Sequence, residues 1–137
     1  MAKDTFHALV RAGLEAEGWT ITADPYRLEF ERVKFEVDLA AEKVIAAEKG
    51  EARIAVEIKS FLHSSAVTDF YGALGQFLSY RLAMKELDSS RVLYLAIPLD
   101  SHSQFFQTGF ARLAVSEYKL KLIVYDSIIG GLVQWII

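Results

Sequence analysis

Cysteine is absent from the 137 residues, which excludes disulfides and thiolate zinc sites and leaves His and carboxylates as the available metal ligands. Net positive charge is missing too. The formal balance is −3, so any contact with DNA needs a local basic patch or a bound cation. No segment approaches the roughly 20 apolar residues that cross a bilayer. The opening Met1-Ala2-Lys3-Asp4 lacks the apolar stretch of a signal peptide, and a soluble cytoplasmic protein is expected. Neither a glycine-rich phosphate loop nor a nucleophile-base arrangement is present, which argues against a small-molecule enzyme. Repeats and low-complexity stretches are also lacking.

What is there fits a folded globular chain: 53% hydrophobic and 24% charged residues. The length suits one domain over residues 1–137 with a single substantial core. Asp4 can cap a first helix running to about Glu17, with Phe6, Leu9, Val10 and Leu14 on one face, and Gly18 stops it. Trp19 to Thr22 reads as a short strand, and Asp24-Pro25 turns the chain. Alternation from Arg32 to Lys59 predicts an antiparallel meander with strands near 33–39, 43–48 and 53–59 and a tight turn at Lys49-Gly50-Glu51.

Ser64 to Leu87 predicts one long helix, with Phe70, Ala73, Leu74, Phe77 and Met84 at helical spacing. Gly72 and Gly75 inside it suggest a close backbone approach. Arg91 to Ile97 is an apolar run ending at Pro98, the mark of a central strand covered on both faces. A helix near 102–117 and strands at 120–125 and 132–136 complete an α/β fold, a mixed β-sheet flanked by helices.

The chemistry concentrates in Asp38 and in Glu57-Ile58-Lys59. With a period of two, Glu57 and Lys59 face one way and Ile58 packs the other. Two carboxylates and a lysine on neighbouring strands suit a magnesium-dependent phosphodiesterase: Mg²⁺ takes one or two protein carboxylates plus water and phosphate oxygens. Lys59 could orient the attacking water or offset developing charge. Charged side chains on an outward strand face are, however, commonly just solvated. Gln76 and Tyr80 project from one face of the following helix with Gly72 and Asp69. They suit phosphate or base contacts, or equally an ordinary polar pair with the Tyr80 ring in the core.

His7 and His63 could each touch a metal or a phosphate, or be hydrogen-bonded structural residues, and His102 reads as a helix-start residue. Glu36, Glu42 and Glu48 read as solvated carboxylates, although Glu42 and Asp38 would converge if the chain bent at Ala40-Ala41. The apolar ending Leu132-Val133-Gln134-Trp135-Ile136-Ile137 either packs into its own core or forms an edge strand that seeks another chain.

Asp38, then Glu57-Ile58-Lys59, then Gln76-Phe77-Leu78-Ser79-Tyr80, after a leading helix, resembles the PD-(D/E)xK nuclease superfamily in its subtype with a Gln-x-x-x-Tyr helix motif. More closely, Lys3-Asp4-Thr5-Phe6-His7, Gly18-Trp19-Thr20-Ile21-Thr22, Val37-Asp38-Leu39, Ile54 to Phe61, Ala73-Leu74-Gly75-Gln76, Leu93 to Ile97 and Trp135-Ile136 look like XisH. That cyanobacterial family is named for control of excision of a DNA element within the fdxN gene. The resemblance spans nearly the whole chain. It implies a restriction-endonuclease-like fold and a role on DNA beside a site-specific recombinase and a small companion protein, XisI. It also implies Asp38 and Glu57 as ligands of Mg²⁺ (or Mn²⁺), Lys59 as the catalytic lysine, and Gln76 and Tyr80 as supporting residues. Val37 stands where the motif proline is expected, and His7 near where many such nucleases place a glutamate. A catalytically silent nuclease-fold module that binds the companion protein or the recombinase, or pairs with itself through the C-terminal strand, is the alternative.

Overall fold

The computed structural model describes residues 2–46 and 50–137. The side chains of Asp4 and Glu48 and the first residue of the turn expected at Lys49-Gly50-Glu51 lie outside what is described there, and Gly50 and Glu51 already belong to a strand. Helix α1 (Ala2–Ala16) ends as Gly18 takes φ +94° and the amide of Trp19 closes on the Leu14 carbonyl at 3.0 Å. Strand β1 (Thr20–Ala23) follows, then β2 (Tyr26–Phe30), β3 (Val33–Val37), β4 (Leu39–Ala46) and β5 (Gly50–Ile58). Helix α2 (Ala66–Leu87) leads to β6 (Val92–Pro98). After α3 (Leu99–Ser103), a 3₁₀ turn (Phe105–Gln107) and α4 (Gly109–Glu117), strands β7 (Leu122–Tyr125) and β8 (Leu132–Ile136) finish the chain.

Six strands form one mixed sheet in the order β1-β4-β5-β6-β7-β8, and β2-β3 is a separate two-stranded ribbon. β5, β6 and β7 run parallel, whereas the β1-β4, β4-β5 and β7-β8 pairs are antiparallel. This mixed α/β architecture agrees with the expected one, with three differences. The predicted three-strand meander is instead a ribbon followed by β4 and β5, because residues 31–32 turn with φ of 47° and 73° at Glu31 and Arg32. Such a turn usually advertises itself by Asn-Gly, and neither residue is present. The expected helix at 102–117 is split, since Thr108 adopts extended backbone and its hydroxyl caps α4 by accepting from Ala111 N–H. Finally, a side chain at Gly72 or Gly75 would meet nothing within 4 Å, so neither marks a close approach. That role falls to Gly13, where a Cβ would sit 2.8 Å from Leu132 Cγ.

The sheet carries a core on each face. On one lie Val37, Ala55, Leu93, Leu95 and Leu122 under Phe70, Ala73, Phe77 and Met84 of α2. On the other, Val10 and Leu14 of α1 pack on Leu39, Val56, Ile123 and Tyr125. Trp19, beside one sheet edge, stacks on Trp135 of the opposite edge strand at 5.8 Å, so the sheet curls around α1. Among the described residues no helix is long and apolar enough to cross a membrane.

A buried arginine clamps the ribbon to this frame. Arg91 donates to Asp88 (2.9 Å), Glu42 (3.1 Å) and the Ile54 carbonyl (3.0 Å), while its guanidinium lies 5.0 Å from the Tyr26 ring. Burial works against the charge on Asp88, but hydrogen bonds from Tyr26 and Arg91 outweigh it and hold the carboxyl below its usual range. Glu42 is thus spent on Arg91 and Arg53 and does not converge with Asp38. Removing one member of a buried ionic cluster strands the rest in a dry setting. Arg91→Ala is therefore expected to cost about 3 kcal/mol of unfolding free energy in urea titration, against a negligible loss for the exposed pair partner in Arg27→Ala.

Candidate functional site

Asp38 is the single residue between β3 and β4, where the chain leaves the ribbon and enters the main sheet. Val37 before it belongs to the α2-side core and Leu39 after it to the α1-side core. β4 pairs with β5, Leu39 opposite Val56, so Asp38 arrives beside Glu57. The two are then tied crosswise: Asp38 N–H donates to Glu57 Oε1 at 3.3 Å, and Ile58 N–H donates to Asp38 Oδ2 at 2.7 Å. Lys59 Nζ lies 3.3 Å from Glu57 Oε2.

The alternation along β5 runs as expected, with Val56 and Ile58 on the α1 side and Ala55 and Glu57 on the α2 side. The polar side is not open to solvent, however, because α2 covers it and Glu57 is only 5% exposed. Burial, and then the neighbouring charge of Asp38, push the Glu57 carboxyl up to about 7, against the opposing pull of Lys59. Lys59 is fixed by its backbone: its N–H continues the ladder to Ala96 O (2.9 Å) and its carbonyl accepts from Tyr125 OH (2.7 Å). Tyr125 is fully buried and its phenol is pushed upward by burial. Nothing in the alternation of residues 120–125 singled this tyrosine out, because its partner is a carbonyl 66 residues away.

A cavity of about 590 Å³ opens at the carboxyl end of β5, walled by Asp38, Lys59, His7, His63, Asp69 and Gln76 among others. Ligands commonly enter open α/β sheets at that end. Glu57 and Tyr80 are not part of its wall. Tyr80 meets Phe35 edge-on at 6.3 Å, and burial followed by the charges of Glu57, Asp38 and Glu36 pushes its hydroxyl up to about 12. Its ring thus rests against the apolar core while its electrostatics belong to the acid pair. Gln76, four residues earlier on α2, reaches the cavity.

His7 also reaches it, but its Nε2 is bonded to Asp24 at 2.8 Å, and Arg11 holds the other oxygen of that carboxylate. His63 is bonded through Nδ1 to Asp69 at 2.8 Å. His102 belongs to the last turn of α3, not the first. Among the described residues no three His, Asp or Glu side chains cluster as a metal cage. The Asp38–Glu57 pair has instead the number of carboxylates that suits an ion retaining much of its water.

Fold and cavity together define a small mixed α/β domain with an acidic pair and a lysine at the carboxyl end of its central strand. The XisH protein family model matches residues 1–130, and the chain belongs to that family. Two solved structures are similar over almost the whole length. One is an XisH family protein from Nostoc punctiforme PCC 73102, at 41% identity and TM-score 0.88, with 97% of this chain and 99% of that one covered. The other is an fdxN element excision controlling factor protein from Anabaena variabilis, at 41% identity and TM-score 0.89, covering 98% and 99%. No curated protein matches the chain.

The acid pair has a consequence for stability. The folded Glu57 carboxyl holds its proton up to about 7, against 4.5 when unperturbed. The native state therefore binds more protons than the unfolded chain in that interval, and stability is highest below it and falls as pH rises through it. Without added metal, wild type is expected to lose about 3 kcal/mol across this window relative to Glu57→Gln, read from denaturation midpoints at a series of pH values; parallel profiles for the two proteins would remove the effect.

Proposed function

We propose that this XisH-family protein acts on DNA as a nuclease-like factor in the excision of a DNA element, with Asp38 and Glu57 holding Mg²⁺ (or Mn²⁺) and Lys59 as the catalytic lysine. The observation that carries the reading is the crosswise hydrogen bonding that brings Asp38 and Glu57 together beside Lys59 at the cavity. A buried carboxylate held against a second one is costly for a chain that only has to fold, and a divalent cation offsets that cost. The donor set fits such an ion: among the described residues Asp38 Oδ1 has no hydrogen-bonding partner, and Glu57 Oε2 meets only Lys59. The similar Anabaena variabilis protein is described as an excision controlling factor, which favours DNA as the substrate.

A magnesium ion bound there would polarise the phosphodiester and acidify a bound water. The chain's own groups do the rest. Lys59, anchored through Tyr125, directs its ammonium toward the acid pair, where it orients the attacking water and offsets charge developing on phosphorus. Gln76 offers amide donors from the cavity wall, and Tyr80 keeps its hydroxyl proton and so remains a donor beside the carboxylates. His7, held by Asp24 through Nε2, lines the same cavity. Since the chain carries a net −3, the bound cation also reduces repulsion of the DNA backbone. An XisI-like companion protein and a site-specific recombinase, acting in the cytoplasm, are the partners this reading entails.

Incubation with supercoiled, branched and single-stranded DNA plus Mg²⁺ or Mn²⁺ tests the chemistry, with Lys59→Ala expected to be at least about a hundredfold slower. Mg²⁺ should also raise the melting temperature of wild type at pH 8 and not that of Glu57→Gln. Wild type no more active than Lys59→Ala, with no Mg²⁺ shift, would sink the enzymatic reading.

A second reading, a module that binds a protein partner, is favoured by one feature. Strand β8 is an edge of the sheet, and residues 127–137 around it contain no charge and no proline, the usual guards of an exposed edge. Trp135 is spent internally on Trp19 and Tyr94, but Ile128, Ile129, Val133 and Ile137 are exposed. Val133→Lys is expected to abolish both co-purification with the companion protein and self-association in size-exclusion chromatography, while changing stability by no more than about 0.5 kcal/mol. A variant that associates as wild type does would dismiss the edge as an interface.

A further inference from the structure

The loop that leaves β5 carries a histidine that the acid pair and lysine do not use. His63 lies four residues past Lys59 and lines the same cavity. Asp69, in the first turn of α2, grips it twice: Oδ1 is 2.8 Å from His63 Nδ1, and Oδ2 accepts His63 N–H at 3.2 Å. The Asp69 side chain is 15% exposed, whereas that of His63 is 82% exposed. An exposed imidazole normally samples several rotamers, and this one is held in place at an entropic cost.

The grip also sets the chemistry of the ring. An ionised carboxylate only accepts hydrogen bonds, so the proton between the two groups belongs to Nδ1, and Nε2 is the nitrogen left free. A carboxylate behind an imidazole fixes its tautomer and orientation, the relation that makes a histidine a positioned proton carrier. The groups lining the cavity with His63 are Asp69 and Gln76 from α2, Lys59 from the end of β5, Asp38 from the β3–β4 junction and His7 from α1.

Cleavage of a phosphodiester needs one service that Asp38, Glu57 and Lys59 leave unfilled. Lys59 Nζ is engaged with Glu57, and a sugar oxygen departing as an alkoxide is too basic to leave well without a proton. We infer that His63, oriented by Asp69, is the general acid that protonates the leaving oxygen, an inference that rests on the phosphodiester-cleaving reading above. The water oxygen bonds to phosphorus, and the bond from phosphorus to the leaving oxygen breaks with its electron pair staying on that oxygen. That oxygen takes the proton from Nε2. The attacking water loses its proton to bulk solvent, from which the imidazole is protonated again.

The test compares two substrates that differ in leaving group: DNA, which expels a sugar alkoxide, and thymidine 5′-(p-nitrophenyl phosphate), whose p-nitrophenolate needs no proton. With Mg²⁺ or Mn²⁺ present, His63→Ala is expected to cleave DNA about a hundredfold more slowly than wild type and the p-nitrophenyl ester less than about threefold more slowly. Asp69→Asn, which keeps the shape but lets the tautomer slip, should lie between, with the same bias toward DNA. His63 is exposed and asparagine keeps the size of Asp69, so both variants should melt as wild type does. Equal losses on the two substrates, or none on DNA, would overturn the general acid and leave the acid pair and lysine standing. A wild type that cleaves neither substrate faster than Lys59→Ala would overturn the phosphodiesterase reading, and the general acid with it.

Discussion

The crosswise pair of hydrogen bonds between residue 38 and residues 57–58 is the constraint on which the rest of the site depends. Each acid uses one oxygen to hold backbone belonging to the other's segment. The acids therefore stay adjacent without a basic residue between them, which is the arrangement two like charges would otherwise avoid. Of the remaining oxygens, Glu57 Oε2 meets Lys59. A chain selected for stability alone would place an apolar residue at the buried position of Glu57.

The frame around the brace buries one acid and leaves the other at the wall of a cavity. Central strands β5, β6 and β7 are covered on both faces, so Glu57 is dry. Beyond the carboxyl end of β5 the cavity forms between the start of α1, the loop after β5 and the first turns of α2. Tyr125 on β7 reaches across β6 to hold the Lys59 carbonyl, and Phe6 of α1 packs on the same ring at 5.8 Å. The placement of the lysine is thus linked to both the far side of the sheet and the leading helix. The Arg91 cluster does similar work for the ribbon that delivers Asp38, tying Tyr26 at its start to Asp88 at the end of α2.

Much of this was legible one residue at a time. The stop of α1 at Gly18 follows from a glycine that can take positive φ, and the two-sided burial of β6 from a run of apolar residues without alternation. The candidate acids, the lysine, Gln76 and Tyr80 were all selected by spacing. The ribbon at 26–37 was only half visible, because Glu31 and Arg32 adopt a turn that their side chains do not advertise. Gly72 and Gly75 are not points of close approach for a related reason: a glycine's cause lies in what faces it, and these two face open space whereas Gly13 faces Leu132. Glu42 and Glu57 both looked like outward strand carboxylates, yet one is neutralised by Arg91 and the other is buried against Asp38.

Local order by itself determined most of the helices and strands, the alternation that sets Glu57 and Lys59 on one side of β5, and the four-residue step from Gln76 to Tyr80. These depend on backbone periods of two and 3.6, which residues a few positions apart are enough to express. Tertiary structure alone decided that the side carrying Glu57 is closed by α2, that Asp38 bends in at the seam between two sheets, and that Tyr125 and Asp69 position Lys59 and His63. Burial, charge proximity and hydrogen bonding are properties of what meets in space, and the groups that meet here are separated along the chain by as many as 66 residues.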